Sequence, residues 1–366
     1  MAKAKKIREL DCNAPAIQGI RLVFLTRFEE LLEWRKAALD WSDPEGVHSM
    51  RVASRRLRST MRDFQPYVPK RSFTSVAKQL KGLAAALGEV RDQDVGIAAL
   101  EEIQKKAPAA HADALNRFIE NRKQLREQQR KKLKAALAKS ELKKLETDFV
   151  AAVEEASAAV GRKSKRTALP SFVDVSRDII RDRLKEFEKR SDGLFRPLDV
   201  EALHDLRITT KRLRYAIELV APCFDRSIMT HAKRAALLQT TLGDLHDCDS
   251  WILTLGKEIV PARKENATEQ VAAFVWLMNH FSRLRTKHLH HAFNRWCEWE
   301  THDASGRLRA AITEEKPAEQ EPEVQAVAEP EDQTAESQVP EQPSEPQDQL
   351  IEPQDQVAGE QMRQAL

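Results

Sequence analysis

Two stretches carry ionisable side chains at a spacing that suits the grip of an anion. The first is Val47-His48-Ser49-Met50-Arg51-Val52-Ala53-Ser54-Arg55-Arg56-Leu57-Arg58. The second is Leu203-His204-Asp205-Leu206-Arg207-Ile208-Thr209-Thr210-Lys211-Arg212-Leu213-Arg214. Both read His-x-x-Arg-x-x-x-[Arg/Lys]-Arg-Leu-Arg. On a helix, at roughly 100° per residue, His48, Arg51, Arg55, Arg58 and Arg62 fall within an arc of roughly 80°. Met50, Ala53, Leu57, Met61 and Phe64 gather on the other side. In the second stretch His204, Arg207, Lys211 and Arg214 face away from Leu206, Leu213, Ile217 and Val220.

Arginine offers a planar fork of donors that fits phosphate oxygens and stays charged at any relevant pH. Lysine is a point charge, and histidine becomes a cation beside an anion. Like charges one turn apart cost a helix about 0.2–0.5 kcal/mol per pair. An imidazole and an arginine also stand in each first turn, where the macrodipole prefers carboxylates. One such row reads as a solvated face. Two in the same register read as a binding surface, because an anion along both turns repulsion into attraction. Cations repeating every helical turn, about 5.4 Å, suit an extended polyanion better than one compact phosphate.

The elements that position these rows are helical. The chain has 366 residues, only 11 of them glycine, and 32% of it is charged. Its long stretches show helical rather than alternating periodicity. No apolar run approaches the roughly 20 residues of a membrane span. The start, Met1-Ala2-Lys3-Ala4-Lys5-Lys6, lacks the apolar stretch of a signal peptide. Cys12, Cys223, Cys248 and Cys297 show no metal-binding spacing and read as thiols of a reducing cytosol rather than bridges. From Glu314 to Leu366 there are 15 acidic and 2 basic residues, a net −13. The formal charge of the whole chain is +3, so the remainder carries +16. Such a basic body calls for a polyanionic partner.

The expected organisation is a loose basic arm over 1–12, a first helical repeat over 13–160, and a linker over 161–170. A second helical repeat follows over 171–313, and an acidic Pro/Gln/Glu-rich tail over 314–366 is expected to be disordered. Asp43 before Pro44 reads as the N-cap of the first basic helix. Leu87-Gly88-Glu89-Val90-Arg91-Asp92-Gln93-Asp94 matches Leu242-Gly243-Asp244-Leu245-His246-Asp247-Cys248-Asp249. Gly88 and Gly243 read as helix ends. His48 precedes Gly88 by 40 residues and His204 precedes Gly243 by 39. Two motifs in one order at nearly one distance predict an all-α fold, internally duplicated. The expectation is a pseudo-two-fold pair of antiparallel helical bundles with a basic central groove.

Arg56 and Arg212 lie about 120° from the middle of each row. They line the groove edge or pair with a carboxylate of a neighbouring helix. Lys78 and Lys233 both stand ten residues before the repeated glycine and are secondary candidates, as is Lys81, which has no basic counterpart because Ala236 stands in the matching position. Arg126 and Arg130, with Arg122, form a row on a helix charged all round. They are secondary candidates that read first as a solvated face. Asp92/Asp94 and Asp247/Asp249 read as structural carboxylates rather than metal ligands. Among His288, His290 and His291 only two can share a helix face, so no metal site is expected. Neither a catalytic residue nor a cofactor motif is assigned.

The two histidine–arginine helices, each followed by Leu-Gly-x-x-[Arg/His]-Asp-x-Asp, resemble the CHAD family (conserved histidine α-helical domain). The resemblance spans about Ala14 to Thr301. It implies an all-helical, duplicated domain that binds inorganic polyphosphate in a basic groove, with some members associated with polyphosphate granules. By position, the binding residues it implies are His48, Arg51, Arg55, Arg56 and Arg58 with His204, Arg207, Lys211, Arg212 and Arg214. The row geometry adds Arg62. Many members carry a preceding triphosphate-handling domain with a Glu-x-Glu-x-Lys signature. None occurs here, and a stand-alone cytoplasmic binding module without catalysis is expected. The alternatives are a metal-dependent phosphohydrolase acting on polyphosphate and a nucleic-acid-binding helical protein. The first is suggested by His204-Asp205 and His246-Asp247, although Ser49 and Arg91 break that pattern in the other copy. The second lacks aromatic platforms and any groove-reading motif, so nucleic acid is not the expected partner, and neither is a membrane.

Overall fold

Eleven α-helices and short 3-10 turns make up the described residues, with one isolated bridge between Pro15 and Ser171. The computed structural model describes residues 4–164 and 169–314, the side chains of 161–164 excepted. The acidic tail, apart from Glu314, lies outside the described residues. No helix among them is long and apolar enough to cross a membrane.

The first half begins with α1 (Ala16–Glu33) and the short α2 (Arg35–Ala38), then α3 (Pro44–Asp63), the first basic helix. Asp43 caps α3 as the sequence predicts, its carboxylate accepting from the Glu45 amide at 2.8 Å, with Pro44 in the first turn. Gly46 is needed there, because a Cβ would stand 2.0 Å from the Ala37 carbonyl oxygen. α4 (Thr74–Gln104), α5 (Ala112–Ala136) and α6 (Lys139–Ser164) follow. α6 runs into the segment expected as a linker, and 165–168 are not described. The second half has α7 (Phe172–Ser191), the basic α8 (Val200–Val220), α9 (Ile228–Lys264), α10 (Thr268–Thr301) and α11 (Ala304–Thr313). Ser171 and Asp174 close α7 with a reciprocal capping box.

Gly88 and Gly243 do not end helices. α4 and α9 pass through them without a break, and no glycine has a positive φ among the described residues. A helical glycine costs roughly 1 kcal/mol relative to alanine. Burying one leucine returns about 1.5–3 kcal/mol, and Leu87, Val90, Leu242 and Leu245 beside these glycines are all buried. Packing outweighs propensity.

The neighbour order repeats between halves. α1 packs on α3, α3 on α4 and α4 on α5, as α7 packs on α8, α8 on α9 and α9 on α10. The halves do not keep separate cores. One core joins Phe24, Phe28, Phe64 and Phe149 of the first half with Phe172, Phe187, Leu206 and Trp299 of the second. A second core forms where the far ends of α4 and α5 meet α9 and α10, around Leu115, Phe118, Leu255, Phe274 and Phe281.

Two expectations about the N-terminus fail. The arm is held, not loose: Ile7 is buried, the Lys5 ammonium pairs with Glu29 at 2.9 Å, and Arg27 donates to the Lys5 carbonyl at 2.7 Å. Cys12 and Cys223 are bridged, with Cα atoms 5.5 Å apart. They stand 211 residues apart in the chain, which is why spacing gave no sign of the pair. Cys248 and Cys297 are free, as expected.

Candidate functional site

The basic helices α3 and α8 pack against one another, and most of both cation rows comes together there. The apolar stripes do this. Val47, Met50, Ala53 and Leu57 of α3 and Leu203, Leu206, Leu213 and Ile217 of α8 are buried in the shared core. Cations of the two helices then border one another at that contact. Arg51 and Arg55 lie close enough to Arg207 and Lys211 to act on their protonation, and Arg62 acts on Lys211 and stands near Arg212.

Burial, then Arg207, Arg55, Arg62 and Arg51, push the Lys211 ammonium down to about 7. Burial also lowers Arg207, with Arg55 and Arg51 adding to the effect against Asp247. Arg55 is lowered by burial too, while Tyr215 opposes the shift. The Nε donors of Arg55 and Arg207 are buried with no hydrogen-bond acceptor among the described residues. The same holds for the Nε of Arg62, Arg122, Arg126, Arg130, Arg212 and Arg214, so an unpaired Nε does not by itself mark the cluster. His48 is lowered by burial and by Arg91, and His204 by burial and by Arg207. His204 and His246 bring their Nδ1 atoms to 3.4 Å, and burial with Arg207 pushes His246 down to about 4.

Sequence reasoning missed three residues of this cluster. Arg91 and His246 occupy the same place in the two Leu-Gly motifs, and that shared position is the signal the sequence carries for them. Tyr215 has no such signal, because Ser59 stands in the matching position. Its ring lies 5.4 Å from the Arg55 guanidinium and 4.8 Å from that of Arg214, a pair of cation–π contacts.

Other predicted residues are held by carboxylates, Arg212 and Arg214 while also standing near Arg62 and Arg55. Arg56 turns away to Glu30 of α1 at 2.7 Å, where Arg27 also pairs with Glu30 at 2.7 Å. Arg212 pairs with Glu186 of α7 at 3.4 Å, and Arg183 pairs with the same carboxylate. Of the two alternatives for Arg56 and Arg212, the carboxylate partner is the one realised. Each member of these triads is offset by 156 positions from its counterpart, as His48 is from His204. Arg214 is buried and held by Glu218 at 3.1 Å, whereas Arg58, in the matching position, is exposed. Glu218 stands where the first row has Arg62, so the second row ends one cation earlier.

Lys78, Lys81 and Lys233 are exposed, with no hydrogen bond or ion pair to the cluster among the described residues. Arg126 and Arg130 are neither a solvated face nor free cations. They hold Asp94 at 3.4 and 3.7 Å, and Arg130 lies 5.2 Å from the Trp41 ring. Arg122 lies over Phe118 and Trp251. Asp249 is likewise held by Arg285 at 2.6 Å, and Asp92 faces Arg51 at 3.5 Å. His288 and Asp244 approach to 3.6 Å, and no group of three side chains that could hold a metal ion occurs among the described residues.

The cluster's response to pH follows from Lys211. It is a base held below its unfolded value of about 10.4, so the fold binds fewer protons than the unfolded chain between about pH 7 and 10. Without ligand, stability from this group rises with pH across that window, and its cost is fully present below pH 7. A bound polyanion favours the charged amine and reverses the shift. Thermal stabilisation by a polyanion is therefore expected to be larger at pH 6 than at pH 9. Equal stabilisation at the two values would remove Lys211 from the site.

Comparison with known proteins points one way. The family model described as CHAD domain matches residues 23–256. Two uncharacterized proteins of Mycobacterium tuberculosis are similar, MT2285 of strain CDC 1551 / Oshkosh and Rv2226 of strain ATCC 25618 / H37Rv. Each is 29% identical over 237 residues, covering 64% of this chain and 44% of the relative. The chain thus spans less than half the length of these relatives. Among solved structures, the crystal structure of the CHAD domain from the plant Ricinus communis superposes with a TM-score of 0.59 at 22% identity, covering 84% of this chain and 95% of that one. PptA from Streptomyces chartreusis superposes at 0.52 and 13% identity, over 77% and 99%. At these identities the structural likeness speaks for the fold.

Proposed function

Because the chain belongs to the CHAD domain family, we propose that it binds inorganic polyphosphate, without catalysis, across the facing cation rows of α3 and α8. The family is linked to polyphosphate binding. The observation that carries the reading is the meeting of Arg51, Arg55 and Arg62 with Arg207 and Lys211, close enough to depress the Lys211 ammonium to about 7. A fold that gathers cations at this cost needs an anion to offset them. His48 and His204 flank the cluster, Arg58 extends it at the exposed edge, and Arg56 and Arg212 act through the carboxylates that anchor α3 to α1 and α8 to α7. The repeated neighbour order and the two Arg–Glu–Arg triads support a duplicated unit with a shared basic groove. The protein works in the cytosol, at polyphosphate granules, with Cys12–Cys223 as the feature that stands out against a reducing compartment.

The roles of the acidic groups support the non-catalytic reading. Asp94 and Asp249 are committed to arginines, and the His-Asp pairs of the second half have no counterpart in the first. Incubation of the full chain with polyphosphate and magnesium or manganese is expected to release no phosphate. In competition at matched charge and salt, polyphosphate is expected to displace duplex DNA. Phosphate release would favour a hydrolase, and displacement in the opposite direction would favour a nucleic-acid binder.

A further inference from the structure

We propose that Lys211 is a modification site, an amine that small acyl phosphates acylate selectively within the cationic cluster. The side chain is half-buried between two helices. Facing it are Arg51, Arg55 and Arg62 of α3, Arg207 and His204 of its own helix, and His246 of α9. Neither a carboxylate nor a hydrogen-bond acceptor holds the amine among the described residues, whereas Arg214 one turn away has Glu218. Four guanidinium groups without a balancing anion at the amine favour its neutral form, which is the nucleophilic one. The same guanidinium groups recruit the phosphate of an acyl phosphate and place its carbonyl carbon two bonds from the held phosphorus.

The step balances as an acyl transfer. The Nζ lone pair attacks the carbonyl carbon and the C–N bond forms. The carbon–oxygen bond to phosphate breaks, inorganic phosphate leaves with the electron pair, and the nitrogen gives its proton to solvent. An acyl phosphate brings about two negative charges against four guanidinium groups, so the amine still faces net positive surroundings. A long polyphosphate brings many more, protonates the amine and protects it. The product amide carries no charge, so acylation weakens the anion site from its centre.

This inference rests on the anion-binding reading only in requiring that the cluster hold a phosphate group. Its test uses the full chain at neutral pH with acetyl phosphate and site-resolved mass spectrometry. Lys211 is expected to be acetylated at least about tenfold faster than the exposed Lys78 and Lys233. Millimolar inorganic phosphate is expected to slow Lys211 alone. Arg55→Gln, checked for unchanged helicity, is expected to slow Lys211 while leaving Lys78 at its original rate. Acetylation of Lys211 no faster than that of Lys78, or undiminished by phosphate, overturns the proposal. A parallel polyphosphate titration of the same sample separates the two readings: tight binding with an inert Lys211 defeats only the modification site, and fast phosphate-sensitive acetylation without polyphosphate binding defeats only the proposed ligand.

Discussion

Charge reversal at Arg51 and Arg207 together (R51E/R207E) is expected to weaken binding of long-chain polyphosphate by at least about 100-fold at low salt. A hydrogen bond to a charged group contributes about 1.5–3 kcal/mol. Losing two therefore costs about 3 kcal/mol or more, and each 1.4 kcal/mol is tenfold in affinity. The introduced carboxylates then repel the ligand as well. The fold should tolerate the change. Among the described residues Arg51 pairs with Asp92, whose side chain is 69% exposed, and such surface pairs contribute about 0–1 kcal/mol. Removing two members of a crowded cation cluster also relieves repulsion in the free protein. Unchanged far-UV circular dichroism with lost binding is the expected pair of results. Affinity retained at physiological salt would place the ligand elsewhere.

Replacement of Glu30 by alanine acts on the scaffold instead. The Glu30 side chain is 3% exposed and sits between Arg27 and Arg56, both at 2.7 Å. Removing it takes away the carboxylate that two enclosed guanidinium groups share. Breaking a buried charge pair from one side costs about 3–5 kcal/mol, and chemical denaturation should show a loss of that size. Glu186 is the matching residue in the second half, but its side chain is 38% exposed and its contact with Arg212 is 3.4 Å. Solvent screening makes Glu186→Ala much milder, within about 1 kcal/mol. Equal losses at the two positions would mean that burial does not set the strength of these triads.

Much of this architecture was legible from residue spacing, because helical periodicity separates a buried stripe from a charged one over fourteen or more residues. The pairing of the two rows followed from His48 and His204 lying in the same register. What the spacing could not show were decisions made by tertiary contact. Whether Gly88 ends a helix depends on Leu87 and Val90 finding a core. Whether Arg56 faces ligand or Glu30 depends on where α1 docks. Arg126 and Arg130 look solvated on a helix charged all round, and only the approach of α4 brings Asp94 to them. The Cys12–Cys223 bridge and the docking of residues 4–12 likewise join segments far apart in sequence. Tyr215 enters the site because the two basic helices touch, a contact with no local signature.

The central claim is that cations from α3 and α8 form one surface for a single extended anion. Titration of the full chain with polyphosphates of increasing length, at low and at physiological salt, tests it most directly. Affinity is expected to rise steeply with length until one chain engages both rows, because the second row is then met at high effective concentration. It is also expected to fall with salt, more steeply for long chains than for short ones, as more counterions are released. Affinity that is independent of chain length, or insensitive to salt at every length, would contradict a shared cationic surface.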